Sequence, residues 1–134
     1  MDTKKLLIGT VAGTVTSFIA GFLVFGLALK SYMATNSTFQ DSPDFVWIVI
    51  GHIIFSLLIT YIFLQWAGIK TVVEGLKAGA LIGLLVALSY NSFFLATSDV
   101  FTGGITTAIV AAIGDTIIWA TCGAGVGWAL GRGD

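Results

Sequence analysis

The stretch FTGGITTAIVAAIGDTIIWATCGAGVGWAL, residues 101–130, decides the fold because it is long and apolar enough to cross a membrane as one helix. A helix rises about 1.5 Å per residue, so a segment of this length exceeds the roughly 30 Å hydrocarbon core of a bilayer. Asp115, near the middle, is its only charged residue. A carboxylate at that depth is costly, and it therefore needs a structural or a functional explanation.

Three further stretches without Asp, Glu, Lys or Arg precede this one, at 6–29, 45–69 and 78–98. A soluble domain of 134 residues with 57% hydrophobic and 10% charged residues would lack the polar surface to cover its core. The sequence predicts an all-α fold, a four-span transmembrane helix bundle that forms a single integral membrane domain over residues 1–134. The predicted spans are approximately 6–29, 45–68, 75–97 and 103–130.

The basic residues predict the orientation of these spans. With four spans both termini lie on one side, and only Lys30 remains on the other. Because short basic loops stay in the cytoplasm, we expect a multi-pass protein of the cell inner (plasma) membrane with both termini cytoplasmic. The polar segment 30–44 is the predicted outer loop, with Asp44 as the N-cap of the second span. The cations assigned to the cytoplasmic side are Lys4, Lys5, Lys70, Lys77 and Arg132.

Charge and residue types exclude several classes of function. A net charge of -1 without a basic stripe argues against a nucleic-acid partner. One histidine, one cysteine and one buried acid cannot form a metal site within a single chain, and the glycines of the fourth span lack a cofactor fingerprint. Ser56 lies one turn from His52 but has no nucleophile elbow or oxyanion motif. We therefore expect no catalytic residues, no metal, no cofactor and no enzyme activity.

Two short segments of the sequence are similar to segments that follow later in the chain. GTVAG at 9–13 is matched by GALIG at 79–83, seventy residues later, and GH at 51–52 is matched by GD at 114–115, sixty-three residues later. This pattern predicts two tandem helix-hairpin repeats related by a pseudo-two-fold axis along the membrane normal. Chance similarity between glycine-rich apolar helices is the alternative.

Small residues recur every four positions on the first and third spans and again near the end of the fourth. Within lipid, such positions let helix backbones approach closely, so they predict helix packing. The faces can serve the internal bundle, a homo-oligomer or another membrane protein, besides contact with the lipid bilayer. The predicted packing residues are Gly9, Gly13, Gly21, Gly79, Gly83, Gly123 and Gly127.

Four polar residues fall at similar depth in three spans. His52 and Asn91 lie about 10 Å, and Asp115 about 15 Å, below the outer boundary at helical rise, and Ser56 follows His52 by one turn. Asn91 continues the four-residue spacing of small residues on the third span, so it should point inward. We expect these residues to form a polar core in the outer half of the bundle, and Tyr90 is a further candidate for it. If His52 and Asp115 met there, they would form a coupled proton-binding unit or ligand site. The alternative is that each is a structural hydrogen-bonding residue.

The segment KAGALIG at 77–83 and the glycine-rich last span resemble small four-helix bacterial inner-membrane proteins of uncharacterised families. This resemblance implies fold and location only. Two interpretations of function stay open. One is a proton- or ion-linked transporter or channel that uses the polar core around Asp115 and His52. The other is a non-catalytic structural or accessory protein that binds partner helices through glycine-rich faces.

The orientation can be tested by labelling single cysteines after the replacement Cys122→Ala. We expect Thr38→Cys to react with a membrane-impermeant thiol reagent in intact cells, because the loop that holds it is predicted to face outward. A cysteine introduced near the C-terminus should react only after the membrane is opened. Equal labelling of the two positions in intact cells would overturn the predicted topology.

Overall fold

The computed structural model describes residues 2–40 and 42–132; positions 1, 41 and 133–134 of the predicted domain lie outside the described residues. All regular secondary structure in the described residues is helical, without a strand. Four helices are long and apolar enough to cross a membrane, which confirms the all-α, four-span prediction. The helices are α1 (Thr3–Gly21, extended by π-helical turns Phe22–Ala28), α2 (Lys30–Asn36), α3 (Phe45–Ile62, extended by π-helical turns Phe63–Ala67), α4 (Val72–Thr97) and α5 (Ile105–Arg132).

The short helix α2 lies where the sequence predicted only a polar loop. Serine, threonine and asparagine often compete with helical backbone bonds, and for this reason the composition indicated a loop. Here the Asn36 side chain donates to the Tyr32 carbonyl at 2.9 Å, one turn back, and so remains compatible with a helix. The Gly103 N–H donates to the Asn36 carbonyl at 2.9 Å. This bond ties the end of α2 to the connection between α4 and α5.

Three of the long helices begin at a residue whose side chain caps the first turn. Asp44 accepts from the Val46 N–H at 3.0 Å at the start of α3, as the sequence predicted. Asp2 and Thr71 do the same at the starts of α1 and α4. Each cap satisfies a backbone donor that the helix itself leaves unpaired. The first residue of each of these helices is therefore fixed by its own local sequence.

Helix α1 packs antiparallel against α3 through its small residues. A Cβ added to Gly9 would collide with the Thr60 side chain. One turn further along, a Cβ on Gly13 would meet the Cβ of Ser56 at 3.0 Å. Both contacts are tighter than ordinary van der Waals packing, so glycine is required for the distance that the two backbones adopt.

Helices α4 and α5 approach each other more closely still. A Cβ on Gly75 would collide with the carbonyl oxygen of Gly123, and a Cβ on Gly79 would collide with the carbonyl oxygen of Trp119. At the next turn, a Cβ on Gly83 would lie 2.5 Å from the Cβ of Trp119. At Gly75 and Gly79 backbone faces backbone, so no side chain can move aside to make room.

The two hairpins share one packing register. The contacts of the α1–α3 hairpin map onto those of the α4–α5 hairpin by the offsets found in the sequence, 70 residues for the first helix and 63 for the second. The equivalent pairs are Gly9–Thr60 with Gly79–Gly123, and Gly13–Ser56 with Gly83–Trp119. The association of the hairpins is not symmetric, however. Helix α1 packs along α5, whereas the described residues of α4 form no comparable face with α3.

The predicted packing glycines all face other parts of the same chain. A Cβ added to Gly21 would make ordinary van der Waals contact with His52, and one added to Gly127 would collide with the carbonyl oxygen of Thr71. The others occupy the two hairpin interfaces described above. The glycine faces therefore serve the internal bundle. Beside them, an apolar cluster fills the space between α3 and α5. Its buried members are Ile59, Phe63, Cys122, Val126 and Leu130.

The close contact between α4 and α5 predicts that the same substitution, glycine to alanine, has different effects on stability at two positions. Gly79→Ala should lower the free energy of unfolding by about 1 to 3 kcal/mol, because the new methyl group collides with backbone. Gly51→Ala is the matched control, since its Cβ meets nothing within 4 Å, and the change should be neutral or stabilising by up to about 1 kcal/mol. Thermal or denaturant unfolding in detergent measures both. Equal stability of the two variants would contradict the proposed contact.

Candidate functional site

His52 lies at the interface of α1 and α3, where it is 9% exposed. Its Nδ1 is 2.8 Å from the hydroxyl of Ser17, which is fully buried on α1. The imidazole ring also packs edge-on against Phe18 and lies 5.4 Å from the ring of Trp119 on α5. His52 therefore joins three helices and has a hydrogen-bond partner that the sequence had not assigned to it.

Ser56 lies one turn further along α3 and is fully buried. Its hydroxyl is 3.4 Å from the sulfur of Cys122 on α5. At the next turn Thr60, also fully buried, donates to the backbone carbonyl of Ser56 at 2.7 Å. His52, Ser56 and Thr60 thus form a row of polar side chains on one face of α3, and this row is packed against the small residues of α1.

Asn91 lies on the other hairpin and is 3% exposed. The sequence predicted that it points inward, because it continues the line of small residues on α4. Its Nδ2 donates to the backbone carbonyl of Ala108 on α5 at 3.0 Å. The bond crosses the α4–α5 interface beyond the last glycine contact, towards the C-terminal end of α4. Asn91 therefore extends the glycine interface with a polar contact.

Asp115 is held by Tyr90, one residue before Asn91 on α4. The tyrosine hydroxyl donates to a carboxylate oxygen of Asp115 at 2.5 Å. Both side chains are partly buried, and the Tyr90 ring packs edge-on against Phe94. A carboxyl group in the middle of an apolar span is thus given a hydroxyl donor from the neighbouring helix, which reduces the cost of placing it there.

The structure places His52 and Asp115 in different hairpins and gives each its own partner. His52 bonds to Ser17, and Asp115 bonds to Tyr90. Trp119, one turn after Asp115, is the α5 side chain whose ring contacts His52. The proton-sharing pair that the sequence suggested is therefore not formed. The four polar residues make separate contacts between helices.

Of the two hydroxyl partners, Tyr90 was a candidate for the polar core and Ser17 was not. Ser17 lies on the small-residue stripe of α1, which the sequence analysis interpreted as helix packing. Tyr90 is adjacent to Asn91 but differs from it by about 100° around the helix, so the stripe through Asn91 did not identify its partner. In each hairpin the informative feature was a hydroxyl group on the helix that faces an ionisable residue.

The buried polar atoms of the core have partners within the chain. Among the described residues, no buried side-chain nitrogen or oxygen lacks a hydrogen-bond partner. No group of three or more His, Cys, Asp or Glu within the described ranges is arranged to hold a metal ion.

Two open grooves lie on the lateral surface between α1 and α5. The first, here called the α1/α5 groove, has a volume of about 600 Å³ and ends at Arg132. A second groove of about 360 Å³ continues from Thr16 towards Leu23. Neither includes a residue of the predicted polar core. The α1/α5 groove has a floor of small residues and apolar walls that include Ala12, Gly125, Ala129, Val11, Val15 and Trp128.

The bond between Tyr90 and Asp115 can be measured by a double-mutant cycle. Tyr90→Phe and Asp115→Ala should each destabilise the fold. Their coupling energy should be about 0.6 kcal/mol and no more than about 1.7 kcal/mol, the average and the maximum found for hydrogen bonds between membrane helices. The control is Ser92→Ala with Asp115→Ala. Within the described residues, the Ser92 hydroxyl donates to the Leu88 carbonyl of its own helix, so no coupling is expected. Additivity in both cycles would show that the bond contributes nothing.

Comparison with known proteins finds no matching family model, no similar curated protein and no similar solved structure. The resemblance to small four-helix bacterial inner-membrane proteins therefore stays a prediction. The contacts within this chain are the basis on which its function is proposed.

Proposed function

We propose that this protein is a small, non-catalytic membrane protein of the structural or accessory kind, which acts through its lateral surface in the bilayer. One observation carries the proposal. The polar side chains at the centre of the bundle bond to one another or to backbone across helix interfaces, and none that is buried in the described part of the chain lacks a partner. Such groups hold helices in register, and they need neither a substrate nor an ion to be satisfied.

The lateral surface is the remaining place for interaction. The predicted glycine faces are occupied by the chain's own helices, so a partner would have to meet other surfaces than those the sequence suggested. The open grooves between α1 and α5 supply one. We place the protein as a multi-pass protein in the inner (plasma) membrane with cytoplasmic termini, on the strength of the five cations assigned to that side. Its partners are the lipid bilayer and a second copy or another membrane protein.

A second candidate, a proton-linked transporter or channel, is favoured by one contact. Asp115 is the only Asp, Glu, Lys or Arg within the apolar stretch 101–130, and its side chain and that of its partner Tyr90 are only partly buried. An ionisable residue inside a span is a candidate for proton transfer by default. In this second function Asp115 would release and rebind a proton beside the Tyr90 hydroxyl, and the equilibrium would follow the pH on the accessible side.

Flux in liposomes decides between the two functions. The purified chain, reconstituted with an internal pH dye, should show the same proton flux as protein-free vesicles, and Asp115→Asn should not change it. Asp99→Asn is the matched control, since Asp99 lies in the connection between α4 and α5, outside the helices. Flux above the vesicle background that Asp115→Asn abolishes and Asp99→Asn preserves would overturn the accessory function. Unfolding curves for each variant confirm that the fold is retained.

A further inference from the structure

The shape of the α1/α5 groove depends on a close approach of its two helices. A Cβ on Gly125 would lie 2.5 Å from the Thr16 hydroxyl oxygen and 3.2 Å from the Ala12 carbonyl oxygen, so a larger residue could not occupy this position without a shift. The side chains of the two walls project beyond these small residues. Val11 on one side is 62% exposed and Trp128 on the other is 51% exposed. In a bilayer a depression of this kind is filled by hydrocarbon.

The length of the groove fits one leaflet. From Leu7 to Thr16, the α1 residues that line it rise by about 14 Å at 1.5 Å per residue, roughly half of a 30 Å hydrocarbon core. The smaller groove that continues from Thr16 lies at the depth of the opposite leaflet. An acyl chain entering from the end that carries Arg132 would therefore be accommodated by the α1/α5 groove alone.

Both walls of the groove end in a cation at the same side of the bundle. On α5 the Arg132 guanidinium lines the groove and lies 4.9 Å from the centre of the Trp128 ring. On α1 the exposed Lys4 precedes the groove residue Ile8 by one turn and so continues its wall. Asp2, the acidic residue nearest to Lys4 in sequence, uses its carboxylate to cap the Lys5 N–H at 3.1 Å. An apolar channel with two cations at its mouth is complementary to an anionic lipid.

We propose that the α1/α5 groove binds one anionic phospholipid, with an acyl chain between α1 and α5 and the phosphate between Lys4 and Arg132. Arginine and lysine near the membrane surface attract anionic headgroups, and the Trp128 ring holds the guanidinium at the level where the headgroup lies. The proposal rests on the proposed accessory function, because it names a ligand for the lateral surface through which the protein would act. It makes no use of Asp115 or Tyr90, so its failure and the appearance of proton flux are separate results.

The test compares two lipids that differ only in headgroup. The full chain in detergent is titrated with palmitoyl-oleoyl phosphatidylglycerol and with the corresponding phosphatidylcholine, and bound lipid is counted by native mass spectrometry. We expect phosphatidylglycerol to bind more tightly. Lys4→Gln and Arg132→Gln should each reduce this preference by about fivefold, the effect of one cation near the surface, and the double variant should remove it. Lys30→Gln, which removes one charge at the opposite side of the bundle, should leave it unchanged.

A groove variant tests the site of the acyl chain. Val11→Trp places a large ring over the groove at an exposed wall position, so it should weaken binding of both lipids by a similar factor without changing the headgroup preference. Equal binding of the two lipids to the original chain would overturn the proposal. So would a preference that survives the double variant, a preference that Lys30→Gln removes equally, or a second copy of the chain that occupies the groove and is not displaced by phosphatidylglycerol.

Discussion

The backbone contact between α4 and α5 is the constraint on which the rest of the described structure depends. Gly75 and Gly79 bring the α4 backbone against that of α5, where an added Cβ would collide with carbonyl oxygens. Within lipid, helices gain little hydrophobic free energy when they associate. Dispersion contacts at this short separation and a few hydrogen bonds must therefore supply the attraction. The same contact sets the register of the two helices. That register brings Asn91 to the Ala108 carbonyl and Tyr90 to Asp115.

The repeat explains why the polar residues do not converge. The offset of 63 residues that relates the second helices of the two hairpins places His52 and Asp115 at equivalent positions, each in its own hairpin. In an exact repeat, equivalent residues would face equivalent positions of the neighbouring helix. Ser17 is the partner in the first hairpin, but the corresponding position in the second is Ala87, which has no hydroxyl. Asp115 is bonded by Tyr90, three residues further along α4. Similar depth and matching sequence thus indicate symmetry between the hairpins and do not by themselves indicate that His52 and Asp115 are close to each other.

The sequence was sufficient to predict the four long helices and most of the faces through which they pack. Small residues four apart predicted which side of α4 packs, and Asn91 was correctly placed on that side. Partners across the interface were harder to predict, because periodicity gives the depth and the face of a residue but not the rotation of the facing helix. Tyr90 illustrates this: it lies beside the stripe and reaches Asp115 through the length of its ring. Helix α2 was missed because its polar side chains, such as Asn36, bond back to the helix instead of breaking it.

The asymmetry between the hairpins also determines which surface faces the bilayer. If α4 packed on α3 as α1 packs on α5, the bundle would have two equivalent interfaces between hairpins. Instead, among the described residues, the main interface between the hairpins is that of α1 with α5, and Gly125 lets these two backbones approach until a groove with exposed walls remains beside them. The buried polar groups of the described core are already paired, so they do not contribute to that surface. The charge at its end comes from Arg132, a residue that the sequence analysis used only to assign orientation. A cation from which the orientation was predicted therefore also lies where the proposed anionic headgroup would meet the groove.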